Sequence, residues 1–192
     1  FEMKNGFPIT DTASHYDAAH PYDNRDPRFY STILYNGAQW LGRPLETYEG
    51  GRDKPGTSVV QTLTSYYLRK FMGNYENTTS YGTHPYDFTY FRYAEILLNY
   101  AEAQNEATGP NANVYSAVEK IRERAGLNPY QLPTGLSKDD MRKVIRHARP
   151  LELAFEGHRF WDVRRWMITD QAETPALPGL ALGTLIGGTL QL

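Results

Sequence analysis

The sequence predicts a mainly α protein built of tetratricopeptide-like helix pairs, with irregular loops and a few short strands. Three observations carry this. Apolar residues recur at the helical period between residues 91 and 167. Gly, Pro and Asn stop that pattern at intervals. Turn-forming pairs concentrate in residues 1–90. Residues 1–90 are thus expected to be an irregular, loop-rich portion, 91–167 a helical-repeat portion and 168–192 a tail of uncertain structure, all within one larger domain.

In the first portion, Asn5-Gly6, Asp26-Pro27, Asn36-Gly37, Gly50-Gly51 and Pro55-Gly56 separate short β-prone runs such as Phe29 to Tyr35 and Ser65 to Phe71. Asn36-Gly37 directly after such a run is a hairpin or turn signal. In FRYAEILLNYAEAQNEATG, from residue 91, the stripe is Tyr93, Ile96, Leu97, Tyr100 and Ala101, and Gly109-Pro110 ends it. A second helix runs from about Asn113 to Ala125 behind an Asn cap, with Val114, Ala117, Val118 and Ile121 facing inward and Gly126 closing it.

Ser137 opens the next helix in a capping box with Asp140 in place of Glu. Its first apolar face is Met141, Val144 and Ile145. Pro150 lacks the amide that a helix interior needs, which predicts a split near Arg149. Beyond it the pattern predicts Leu151, Ala154 and Phe155 against a neighbour, a break at Gly157, and a last helix over 158–167. Phe160, Trp161, Val163 and Trp166 form its inner face, so Trp161 and Trp166 are assigned to the core. The two successive helix pairs suggest helical-repeat packing, although no clean 34-residue consensus repeats. The tail from Pro175 has no charged residue and reads as an apolar strand pair or as a poorly ordered segment.

The totals exclude several classes of function. Lys and Arg number 20 against 22 acids, a net charge of −2, which leaves no basic surface for general nucleic-acid binding. No Cys is present, so no disulfide, zinc-thiolate site or thiol nucleophile is available. No segment reaches the roughly 18 apolar residues of a membrane span. Aromatics make up 14 %, and their 15 Tyr suit an interface or a sugar platform as well as a core.

The stretch LELAFEGHRFWDVRRW, residues 151–166, holds Glu152, Glu156, His158 and Asp162 and invites a catalytic reading. Spacing argues against it. His15, His20, His84, His147 and His158 include no pair one helical turn apart with a Glu between, and Glu156 and His158 straddle a glycine. Neither a GxSxG elbow nor a phosphate-cradling Gly loop occurs. Asp11, Asp17, Asp23 and Asp26 lack the alternation of a calcium loop and read as solvated turns. No metal site, cofactor or catalytic residue is therefore expected. Arg159, Arg164 and Arg165 are expected to neutralise Glu152, Glu156 and Asp162 across the turn.

FRYAEILLNYAEAQNEATG, IRERAGL (121–127) and LELAFEGHRFWDVRRW, with FEMKNGFPI and NRDPRFYSTILYNG before them, resemble the SusD/RagB family of Bacteroidetes outer-membrane lipoproteins. The resemblance covers nearly the whole chain but only about the last third of a family member, so a carboxy-terminal fragment or processed product is expected. It implies a surface protein anchored by a lipidated Cys on a preceding segment. Such a protein works with a SusC-like TonB-dependent transporter, binds glycans or other nutrients, and carries no catalytic centre. A glycan-cleaving enzyme and a helical-repeat adaptor without small ligand are the alternatives. Three departures stand out: Pro150 before the LELAFEG element, the uncharged tail, and the absence of the portion that usually supplies much of the ligand site. No family position carries over to a ligand contact here. Local chemistry points to Trp40, beside Asn36 and Gln39 in a Gly-flanked loop, with Tyr35 and Tyr48 as further candidates. The competing reading has Trp40 packed under its own loop or against the transporter.

Overall fold

Asp26 and Pro27 start the first helix. The Asp26 carboxylate accepts from Arg28 N at 2.9 Å, and Pro27 fills the first helical position, where a missing amide costs nothing. Helix α1 therefore runs Pro27–Thr32, and the β-prone run expected from Phe29 contributes only β1, Ile33–Leu34, as strand. The remaining elements are β2 (Gln39–Trp40), β3 (Arg43–Pro44), β4 (Tyr67–Leu68), α2 (Tyr93–Thr108), α3 (Ala112–Ala125), α4 (Lys138–Glu152), α5 (His158–Arg165), β5 (Thr184–Ile186) and β6 (Thr189–Gln191). The computed structural model describes residues 1–54, 62, 64–82 and 89–169, with the backbone of 184–186 and 189–191.

The chain forms two units, Phe1–Tyr30 with Phe88–Ile168, and Ser31–Asp87 with Thr169–Leu192. In the first unit α2 packs on α3 and α4. Asn111, two residues ahead of the position expected from sequence, caps α3 through its side chain to Asn113 N and Val114 N. Gly126 closes the helix in the left-handed conformation at φ 81°. Ser137 caps α4, accepting from Asp140 N at 3.1 Å. Its hydroxyl also donates to the Asp140 carboxylate at 2.7 Å, so Asp fills the Glu place of the box by reaching the hydroxyl.

The core of this unit joins Ala101, Val114, Ala117, Val118, Met141 and Ile145 with a second cluster of Ala94, Leu98, Ile121 and Leu153. The α3 and α4 faces agree with their sequence pattern. That of α2 agrees in part: Ala101 is buried and Leu97 packs against both clusters, but Tyr93, Ile96 and Tyr100 are exposed, and Ala94, Leu98 and Asn105 are buried in their stead. Both sets keep the helical spacing and share Ala101, and the buried one, with small Ala94 in place of Tyr93, admits the closer approach to α3.

Three further expectations fail around the turn at 153–157. Helix α4 is continuous through Arg149 and ends at Glu152, with Pro150 in its last turn. There the missing amide removes one hydrogen bond from a helix already ending. Leu153 is buried, whereas Phe155 is exposed at φ 63°. Trp161, assigned to the core, is 67 % exposed beside Phe160, at an edge-on ring distance of 5.0 Å. Val163 and Trp166 do turn inward.

Segment 1–30 is stitched to the helices. Asn128 N donates to Lys4 O at 2.9 Å, and His147 Nε2 meets the buried Glu2 carboxylate at 2.9 Å. Asp26 is fully buried against Arg28, and so is no solvated turn. In the second unit β1 pairs antiparallel with β4, Ile33 opposite Leu68. β2 pairs with β3, Trp40 opposite Arg43. The tail contributes the antiparallel pair β5–β6, and from residue 170 on the rest of it lies outside the described residues.

Candidate functional site

The acids of LELAFEGHRFWDVRRW are taken up by arginines, mostly from other elements. Glu152 accepts from Arg124 at 2.6 Å and Arg28 at 3.2 Å, and also pairs with Arg92. Glu156 accepts from Arg92 Nε at 2.7 Å. Asp162 holds Arg149 at 2.8 Å and Arg165 at 2.9 Å. Of the three arginines expected for this task only Arg165 performs it; Arg164 instead donates to Phe160 O and lies over the Phe160 ring. Burial works against the charge of Arg28, but Asp26, Glu152 and Glu2 outweigh it and raise its pKa. These side chains form a structural ion network, with each carboxylate spoken for.

A different site lies in the second unit, around the hairpin of β2 and β3. The turn is Leu41-Gly42, both at positive φ (51° and 72°), the conformation that matches the twist of a tight hairpin. Asn36-Gly37 forms the turn before it, where Ala38 N reaches Tyr35 O at 3.0 Å and the Asn36 side chain accepts from Thr47 N. A cavity of about 380 Å³ opens beside the hairpin, within the range of small-molecule sites. Leu34, Trp40 and Leu45 form part of its apolar wall, and Arg43, Asp53, Tyr67 and Tyr81 supply polar groups.

Trp40 lines this cavity but is only 4 % exposed. Its ring is edge-on to Tyr75 at 5.5 Å and carries the Arg69 guanidinium at 5.1 Å. Its Nε1 donates to Tyr81 Oη at 3.3 Å. Packing under the loop therefore describes most of the Trp40 surface, and the accessible ring is Tyr81, 60 % exposed. Across the cavity Arg43 forks onto Asp53 at 2.7 and 2.9 Å, and Asp53 also accepts from Glu46 N. The hydrogen bond from Arg43 holds the Asp53 carboxyl below the usual carboxylate range. Burial, then the Asp53 charge, pushes the Tyr67 phenol up, and its hydroxyl donates to Asp53 O at 2.9 Å.

Of the five residues chosen from sequence, Trp40 alone lies in the cavity wall. Gln39 is exposed on the alternate side of β2, Asn36 braces the loop backbone, and Tyr35 and Tyr48 are half-buried outside the cavity wall. Arg43, Asp53, Tyr67 and Tyr81 were not legible as a group. Tyr81 lies 41 positions from Trp40, and no local pattern links them. The cavity offers aromatic faces, a fixed planar guanidinium–carboxylate pair and phenol hydroxyls. That is the chemistry of hydrogen-bonding and stacking on a polyhydroxylated ring.

The family model for the SusD family matches residues 1–177. A SusD-like protein of Bacteroides fragilis shares the fold at TM-score 0.70 and 34 % identity, over 88 % of this chain and 34 % of that one. A second protein of that organism, described as a SusD-like carbohydrate-binding protein, matches at TM-score 0.62 and 27 % identity, over 87 % of this chain and 34 % of its own. SusD-like protein P2 of Formosa agariphila is 38 % identical over 89 residues, 44 % of this chain and 18 % of that protein. The chain thus spans about a third of the length of these solved relatives and less of the curated one. With the family model matched across residues 1–177, the chain belongs to the SusD family.

Proposed function

We propose that this chain is part of a cell-surface glycan-binding protein that captures oligosaccharide or a similar nutrient for a SusC-like TonB-dependent transporter. The protein sits at the outer membrane through a lipid anchor and acts by binding, not by catalysis. The observation that carries this reading is the hairpin cavity of a SusD-family chain, which exposed Tyr81 lines together with the fixed Arg43–Asp53 pair. Tyr81 stacks on a pyranose face and the Arg43–Asp53 fork hydrogen-bonds its hydroxyls. The absorption of Glu152, Glu156 and Asp162 into arginine pairs supports binding over glycan cleavage, because none is left poised as a free acid or base.

A panel of neutral and acidic oligosaccharides, titrated calorimetrically and then analysed for released products, tests this. Saturable binding without product is expected. Product release makes the protein a glycan-cleaving enzyme. Capture of the transporter with no glycan bound by any member of the panel makes it a structural adaptor.

A further inference from the structure

A second cavity, of about 490 Å³, lies in the helical unit, between the loop at residues 2–7, the end of α3 and the middle of α4. Its walls are largely apolar, from Phe7, Leu132, Val144 and Ala148 among others, and its volume is ample for a small ligand. Charged groups converge on one side: Glu2, Arg28, Arg122 and His147.

These charges are unevenly compensated. Arg28 forks onto Asp26 and reaches Glu152 at 3.2 Å. Glu2 is held by His147 at 2.9 Å and lies 3.6 Å from Arg28. Arg122 differs from its neighbours. Its Nε donates to Tyr130 O at 2.8 Å and its Nη2 to Pro129 O at 3.2 Å, so neutral carbonyls hold it in place. Among the described residues the one carboxylate within reach of its Nη1 is Glu2, at 4.0 Å. Burial, with Arg28 close by, lowers its pKa, whereas the neighbouring Arg28 is raised. A cation pinned by carbonyls, with its nearest carboxylate standing off at 4.0 Å, is an oriented donor for an anion at the edge of an apolar chamber. Gly6 makes room for it: a Cβ there would lie 2.5 Å from Arg122 Nη2.

We propose that this cavity is a second binding site, separate from the hairpin cavity, that takes a small organic acid with its carboxylate on Arg122 Nη1 and its apolar body against Phe7, Leu132 and Val144. The largely apolar walls favour a ligand with an apolar body over a sugar, which would bury part of its hydroxyls against Phe7, Leu132 and Val144. The carboxylate gains a charge-assisted hydrogen bond from a donor that is already oriented.

Titration of the chain with 3-phenylpropanoate, followed by calorimetry and by heteronuclear NMR, tests the proposal. The acid is expected to bind saturably and to shift amides in residues 2–7 and 129–133. Its neutral counterpart, 3-phenylpropan-1-ol, is expected to bind at least about tenfold more weakly, the loss of one charge-assisted contact. Arg122→Gln removes the preference for the acid. Because that variant also releases two loop carbonyls, Val144→Phe is the second probe: it fills the chamber, leaves Arg122 in place and abolishes binding of both compounds. Equal affinity for acid and alcohol overturns the proposal. So does undiminished binding in Val144→Phe, or a shift map centred on Trp40 and Tyr81.

Discussion

Arg28 and Glu152, 124 positions apart in sequence, meet at 3.2 Å in the interior of the helical unit, both almost fully buried. Glu152 at the end of α4 also collects Arg124 from α3 and Arg92 from the start of α2. One carboxylate at the end of α4 thus ties together α1, the start of α2 and α3. Breaking a buried pair on one side leaves an uncompensated charge. Glu152→Gln is expected to lower the unfolding free energy by about 3–5 kcal/mol, read as a urea midpoint shift. A change under about 1 kcal/mol would mean the network is solvated and peripheral.

The α2 face offers a paired test. Leu98 is fully buried and Ile96 is 52 % exposed, two residues apart on one helix. Leu98→Ala is expected to cost about 2–5 kcal/mol, while Ile96→Ala stays within about 0.5 kcal/mol in this chain. Thermal melts of the two variants decide which stripe is core. The reverse order would restore the stripe read from sequence.

Pro150 makes a third case. Placed in the last turn of α4, it leaves the helix continuous through Arg149 while removing one hydrogen bond. Pro150→Ala is expected to change stability by less than about 1 kcal/mol, against the ~3 kcal/mol of a helix-interior proline. Circular dichroism of the variant is expected to show no gain in helix content. A clear gain would show that the proline splits the helix.

Glu102 sets an acid limit. Burial pushes its carboxyl up, but hydrogen bonds from Arg165 and Trp166 outweigh this and hold its pKa below the usual 4.5. A carboxyl more acidic in the folded chain adds stability above its unfolded pKa, and that contribution fades as pH falls through the folded value. Glu102→Gln is expected to lose about 1–2 kcal/mol at pH 7. The gap to the unmodified chain narrows below pH ~4.5. A gap that stays constant down to pH ~2.5 would assign the effect to shape, not charge.

Helix positions were legible because their signals are local: Ser137 and Gly126 mark ends within a residue or two of where they lie. Which face of α2 turns inward was not. Ala101 was placed correctly, but two sets of residues shared the helical period around it, and small Ala94 with Leu98 took the interior from Tyr93, Ile96 and Tyr100. Trp161 misled for a related reason: an apolar residue at core spacing is core only where a neighbouring element covers it. At the candidate site, Trp40 was visible as a lone aromatic in a glycine-flanked loop. Tyr81 and the Arg43–Asp53 fork were not, because folding, and no spacing rule, assembles them.

In the proposed function the hairpin cavity binds sugar through the exposed face of Tyr81. The direct measurement is the dissociation constant of a bound oligosaccharide for the unmodified chain and for Tyr81→Ala, with folding checked by circular dichroism. Loss of a stacking face is expected to weaken binding by about tenfold or more while the fold is retained. An affinity unchanged in Tyr81→Ala would contradict the account and place the sugar elsewhere.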